Sequence, residues 1–165
     1  MPRLVLLRGP SGAGKTTIAR TLRTHWGRGT ALVRQDVVRR EILREHDVPG
    51  GVNIGLIDVM CRHTLAAGYD VILEGIFPAA RYGEMLRRLL ADHDGSAFFF
   101  AVPFPETVRR HATRPQSTEF TPEDMRGWYL PDDRLGVPGE VVLGPELAVK
   151  ETVALIDAAV RRRCC

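Results

Sequence analysis

The chain has 165 residues, with 44% apolar and 26% charged side chains and a formal net charge of +3. That size suits one domain with its own core, and the balance excludes a disordered, collagen-like or coiled-coil chain. Its apolar runs, such as residues 97–102, are far too short to cross a bilayer. The opening run Met1-Pro2-Arg3-Leu4-Val5-Leu6-Leu7 leads into glycines and not into a small-residue cleavage site, so the expected location is cytoplasmic. The charge is too mild to indicate nucleic acid by itself. All but two of the 23 basic residues are arginine, which makes Lys15 conspicuous beside Lys150. Three cysteines make no disulfide framework. Cys61 is expected in the core, and Cys164-Cys165, after three arginines, is expected to be a frayed tail rather than a lipid anchor.

Strands and helices alternate along the chain. Arg3 to Arg8 is an apolar run that stops at Gly9, the pattern of a buried strand. Lys15 to about His25 follows as a helix with Ile18, Leu22 and Trp26 four apart. Thr30 to Arg34 is a second strand and Val37 to Glu45 a second helix. Ile54, Ile57, Cys61 and Leu65 stripe one face of a third helix, which Gly68 ends. Tyr69 to Leu73 is a strand closing at Glu74-Gly75, and Pro78 to about Asp92 is helical with Met85, Leu86 and Leu89 inward. Ser96 to Val102 is the most apolar strand. Pro105 to Thr113 and Pro122 to Leu130 are surface helices, the second opened by Thr121 as N-cap. Glu140 to Leu143 is a weak last strand, and Val149, Val153, Ile156 and Val160 stripe the final helix. This alternation predicts one α/β domain over residues 1–165, with a parallel sheet of about five strands covered on both faces.

The segment Gly9-Pro10-Ser11-Gly12-Ala13-Gly14-Lys15-Thr16 fits G-x-x-x-x-G-K-[ST] and lies between a strand and a helix, which predicts a P-loop NTPase fold. Glycines let backbone N–H groups turn inward around a phosphate chain, and the helix N-terminus adds positive charge. Lys15 is then expected on the phosphates, Thr16 on Mg²⁺, and Thr17 beside them, with ATP as the nucleotide. A GTPase needs a base-reading N-K-x-D, which is absent, and Asp47-Val48-Pro49-Gly50 follows a charged helix rather than a strand. That leaves a small kinase. Asp36 directly follows the second strand, at the sheet edge where ligands collect, and is the candidate general base; it is equally placed to cap the next helix. Arg39 and Arg40 follow within one turn as candidate acceptor-binding residues. Glu74 closes the third strand as a candidate support for the metal. Arg110 and Arg114, four apart, lie in a charged stretch expected to form a small helical lid over about residues 105–130, with residues 115–122 as its loop.

These strings, namely the P-loop, Arg34-Gln35-Asp36-Val37-Val38-Arg39, Leu73-Glu74-Gly75, and Arg110-x-x-x-Arg114 followed by Thr-Pro-Glu-Asp-Met, resemble one group of small P-loop kinases over roughly residues 3–157. The group includes the 5′-kinase domain of polynucleotide kinase, the zeta-toxin kinases and chloramphenicol phosphotransferase. The resemblance implies Asp36 as base, Arg39 beside the acceptor, and Arg110 and Arg114 on the donor phosphates. The acceptor itself is not legible. Candidate pocket residues are Asn53 in the loop after Gly50-Gly51, and Phe77, Arg81 and Tyr82, although aromatics of this kind more often pack locally. A domain of this size suits a small hydroxylated molecule such as an antibiotic, sugar or nucleoside. A nucleic-acid 5′-hydroxyl and a nucleotide-driven regulatory ATPase are the alternatives.

Overall fold

The computed structural model describes residues 1–114 and 118–163. The expectations for Cys164-Cys165 and for Pro115, Gln116 and Ser117 of the loop lie outside the described residues.

Five strands form one parallel sheet: β1 (Leu4–Arg8), β2 (Thr30–Arg34), β3 (Asp70–Gly75), β4 (Ser96–Phe100) and β5 (Val141–Leu143), in the spatial order β2-β3-β1-β4-β5. Each crossover passes through helix, as parallel strands require. The helices are α1 (Lys15–Trp26), α2 (Val52–Ala66), α3 (Ala79–Asp92), α4 (Phe104–Ala112), α5 (Pro122–Trp128) and α6 (Val149–Arg163). Period-two alternation splits the central strand between two cores. Leu4 and Leu6 pack with Ile57, Cys61 and Leu65 of α2 and Leu86 and Leu89 of α3. Val5 and Leu7 pack on the other face with Ile18 and Leu22 of α1 and Val153, Ile156 and Val160 of α6. These faces are the ones the stripes predict, so the chain has the α/β P-loop fold with a five-stranded parallel sheet covered on both sides. Among the described residues, no helix is long and apolar enough to cross a membrane.

The second helix departs from its predicted form. Val37–Ile42 is a π-helical turn, in which the Leu43 N–H donates to the Val38 carbonyl at 3.1 Å. It stops there because Arg44 adopts φ 51° and turns the chain aside. Glu45, predicted as the end of that helix, instead serves α2. Its carboxylate accepts from the backbone N–H of Val52 and Asn53 at 2.6 and 2.9 Å and from Asn53 Nδ2 at 2.9 Å. An acid at a helix N-terminus meets unpartnered N–H groups and the positive end of the dipole. These hydrogen bonds hold the Glu45 carboxyl below its ordinary pKa.

Candidate active site

β1 delivers the chain to the glycine loop, and α1 carries it away. Gly12 has φ 81°, and a Cβ placed there would lie 2.6 Å from the Thr107 carbonyl of α4. Only glycine allows both the left-handed backbone and this approach. Gly12→Ala is therefore expected to push α4 off the loop and weaken nucleotide binding more than tenfold by equilibrium titration; unchanged affinity would mean that this contact is dispensable.

Lys15 is 7% exposed. Its Nζ donates to the Pro10 carbonyl at 2.7 Å. Burial pushes its pKa down to about 8, with Glu74 opposing the shift and Arg114 adding to it. A buried ammonium at a helix N-terminus, offset by the Pro10 carbonyl and the Glu74 and Asp36 carboxylates, suits a polyanion. The nucleotide phosphates fit this cradle. The Thr16 hydroxyl donates to Glu74 Oε1 at 2.9 Å, which uses its proton and leaves its lone pairs for a hard cation. Mg²⁺ keeps several waters and needs few protein oxygens, so this hydroxyl fits it as well.

Asp36 sits on the same sheet edge, its side chain 51% exposed. Oδ1 accepts from the Val37 N–H at 2.9 Å, so it also caps the π-turn. Oδ2 accepts from Arg34 Nη2 at 3.0 Å. Arg34 Nε in turn donates to Glu74 Oε1 at 2.9 Å. Thr16, Glu74, Arg34 and Asp36 thus form one continuous array from the phosphate loop to the candidate base. Arg34 is the residue that sequence reasoning passed over. Its role comes from the register that sets it opposite Glu74 on the neighbouring strand, which carries no local signal in the sequence.

The arginines divide. Arg110 is a brace: Nε donates to Glu106 at 2.7 Å, Nη1 to the Ala13 carbonyl at 3.1 Å and Nη2 to the Pro145 carbonyl at 2.9 Å. It also lines a cavity of about 120 Å³ with Thr17, Phe100, Gly144, Leu147 and Thr152. Glu106, gripped by Arg109 and Arg110, is held down at about 2. Arg114 is half-buried; burial lowers its pKa, Arg110 adds to the shift and Glu74 opposes it. Its backbone N–H donates to the His111 carbonyl at 3.0 Å, and among the described residues its guanidinium has no hydrogen-bond or ion-pair partner. Arg40 reaches Glu119 at 3.7 Å, an exposed pair between the π-turn and the segment leading into α5. Arg39 Nη1 donates to the Glu45 carbonyl at 3.1 Å.

Two expected acceptor residues are corrected. Asn53 and Phe77 are both 0% exposed. Asn53 Oδ1 meets the Tyr82 hydroxyl at 2.9 Å, while its Nδ2 binds Glu45. Phe77 packs edge-on against the Tyr82 ring at 5.2 Å. It has φ 46°, and its backbone is held at both ends. Its N–H donates to Gln35 at 3.0 Å, and its carbonyl accepts from the buried Arg8 at 2.6 Å. These residues anchor loops and offer no surface to an acceptor. Arg81 belongs to the same network, paired with Asp47 at 2.9 Å. Asn53→Ala should cost about 1–3 kcal/mol in a urea titration, because Glu45 and Tyr82 lose a buried partner. It should leave nucleotide affinity intact.

The fold is shared with solved structures that include two kinases. The Mycobacterium tuberculosis APS kinase, solved with AMPPNP and APS, aligns at TM-score 0.72 and 19% identity over 97% of this chain and 98% of its own. A gluconokinase from Sinorhizobium meliloti 1021 aligns at 0.66 and 17% identity over 98% and 93%. A tunicamycin resistance protein from Deinococcus radiodurans aligns at 0.63 and 18% identity over 97% and 96%. No curated protein matches the chain by sequence. The family described as AAA domain matches residues 4–126, more than half of the chain, and the chain belongs to that family.

Proposed function

We propose that this protein is an ATP-dependent, Mg²⁺-requiring kinase that transfers the γ-phosphoryl group to a hydroxyl of a small molecule. The observation that carries the reading is the unbroken hydrogen-bonded array from Thr16 in the phosphate loop, through Glu74 and Arg34, to Asp36. A nucleotide switch does not need a half-exposed carboxylate tied to its phosphate site. An alcohol kinase does, because the attacking hydroxyl must lose its proton. The likeness to an APS kinase and a gluconokinase, whose names speak of small acceptors, supports a small molecule here too.

Lys15 and the loop N–H groups hold the phosphate chain, and the Thr16 hydroxyl, which donates a hydrogen bond to Glu74, would hold the metal through its oxygen. Bound Mg²⁺ supplies charge neutralisation at the phosphate oxygens. Asp36 accepts the proton of the acceptor hydroxyl. Arg39 and Arg40 border the acceptor side. Arg114 faces the transferred group from the α4–α5 segment, which serves as the lid, while Arg110 holds the base-side wall. The adenine enters the cavity beside Arg110 and Leu147. Within the P-loop kinases, the chain resembles the group of polynucleotide kinase, zeta-toxin and chloramphenicol phosphotransferase, and it works in the cytoplasm, where ATP is supplied.

The test is a survey with γ-labelled ATP, Mg²⁺ and two pools, one of hydroxylated small metabolites and one of 5′-hydroxyl oligonucleotides. Label on a small molecule is the expected result. Label on the oligonucleotide, falling steeply with salt, would replace the acceptor class. Release of free phosphate alone, equal with and without both pools, would contradict the kinase reading.

A further inference from the structure

We infer that Arg34 is a positioning residue of the transfer reaction: one guanidinium fixes Asp36 relative to Glu74, so that the base and the phosphate site hold a set spacing. The inference rests on the kinase reading above. Nothing in the P-loop motif calls for an arginine at this position.

The geometry is specific. β2 and β3 run parallel with Arg34 opposite Glu74, so the two side chains leave the same face at the last rung of the ladder. Arg34 Nε and Nη2 are adjacent donors on one planar group, and they go to two different carboxylates, at 2.9 and 3.0 Å. Glu74 Oε1 is shared with the Thr16 hydroxyl. Glu74 is 3% exposed and is held by the Thr16 hydroxyl as well as by Arg34. Asp36 is the mobile partner: its side chain is half-exposed, and its remaining bond is to the N–H of its own neighbour, Val37. Without Arg34, that cap alone would orient a base that has to meet an incoming hydroxyl. A displacement of about 1 Å in such a group costs on the order of 10²-fold in rate. Arginine suits the task because its fork presents two donors at a fixed angle, whereas a lysine ammonium is a single rotatable point charge.

An arginine that merely neutralises the Glu74 and Asp36 carboxylates would act on stability and leave kcat unchanged in a folded protein. An arginine that acts through Asp36 loses its effect once Asp36 is gone. The experiment is therefore a double-mutant cycle of Arg34→Met and Asp36→Ala, with Arg34→Lys as a second variant. Transfer is followed with γ-labelled ATP and the pooled hydroxylated metabolites. Nucleotide affinity is measured by titration with a non-hydrolysable ATP analogue, and folding by melting temperature. Arg34→Met should lower kcat roughly ten- to a hundredfold, with the nucleotide Kd within about twofold of wild type. Arg34→Lys should recover part of the loss. In the Asp36→Ala background, Arg34→Met should change kcat by less than about twofold. Should Arg34→Met fail to fold, the cycle is run with Arg34→Lys. Wild-type kcat in a folded Arg34 variant, or a double mutant showing the product of both losses, overturns the inference while leaving the kinase reading in place. A wild-type protein that labels no acceptor, or an Asp36→Ala protein as active as wild type, overturns the kinase reading and the inference with it.

Discussion

Asp36→Ala is expected to lower kcat by roughly 10²–10⁴ and to leave the affinity for nucleotide unchanged. The size follows from the role: a positioned base removes the proton as the hydroxyl attacks, and water replaces it poorly. The selectivity follows from placement. Asp36 binds Arg34 and the Val37 N–H and touches none of the loop that holds phosphate. Its second role, as cap of the π-turn, sets the control. A lost cap costs about 1 kcal/mol of stability, which a melting curve reports and which does not by itself alter kcat. Asp36→Asn keeps an acceptor oxygen for the cap and loses the base, so it should restore the melting temperature and not the rate. Recovery of turnover in Asp36→Asn would identify Asp36 as a cap alone.

Lys15→Met should lower kcat/KM by roughly 10²–10³, the loss expected when one donor to a developing anion is removed. It should weaken nucleotide binding as well, because the ammonium meets the phosphates before and during transfer. The same substitution has an effect in the absence of nucleotide. Burial pushes the Lys15 pKa down to about 8 in the fold, against 10.5 for an ordinary lysine. Between these values the unfolded chain binds the proton and the folded chain does not, so stability rises with pH across that window. Below about pH 8 the buried charge costs about 3 kcal/mol. Lys15→Met should flatten this rise in the nucleotide-free protein, measured as unfolding free energy against pH. Because the buried Cys61 thiol, pushed up to about 12, pulls stability the other way above pH 9, the reading is the difference between wild type and Lys15→Met; a difference that does not rise from pH 8 to 10 would contradict the burial of this charge.

What was legible in the sequence was local. The glycine spacing before Lys15-Thr16 carries its own geometry. The short apolar runs at Leu4–Arg8 and Ser96–Phe100, each bounded by glycine or proline signals, read as buried strands and are so. Asp36 and Glu74 were visible because strand ends on a parallel sheet share one edge. Arg34 was not, because its meaning lies in a cross-strand register with a residue 40 positions away. Asn53 misled for a related reason. It stands four residues before Ile57 and eight before Cys61, so the buried stripe of α2 begins with it. Its partners Glu45 and Tyr82 come from outside that helix, and only they make a polar group tolerable there. The π-turn after Asp36 was not legible either, since over six residues its periodicity barely differs from that of an α-helix. Arg110 carried a plausible role on the phosphates. Three bonds to Glu106, Ala13 and Pro145 instead tie it to the wall beside them.

The central claim is that the γ-phosphoryl group leaves ATP for a hydroxyl under the control of Asp36. The most direct measurement is ³¹P NMR of a reaction containing wild-type protein, Mg²⁺, ATP and the pool of hydroxylated small metabolites, with Asp36→Ala run in parallel. The account predicts loss of the γ-resonance matched by growth of a phosphate monoester in the wild type, and neither change on the same timescale in the variant. Loss of the γ-resonance matched only by inorganic phosphate, at equal rates in both proteins, would contradict it.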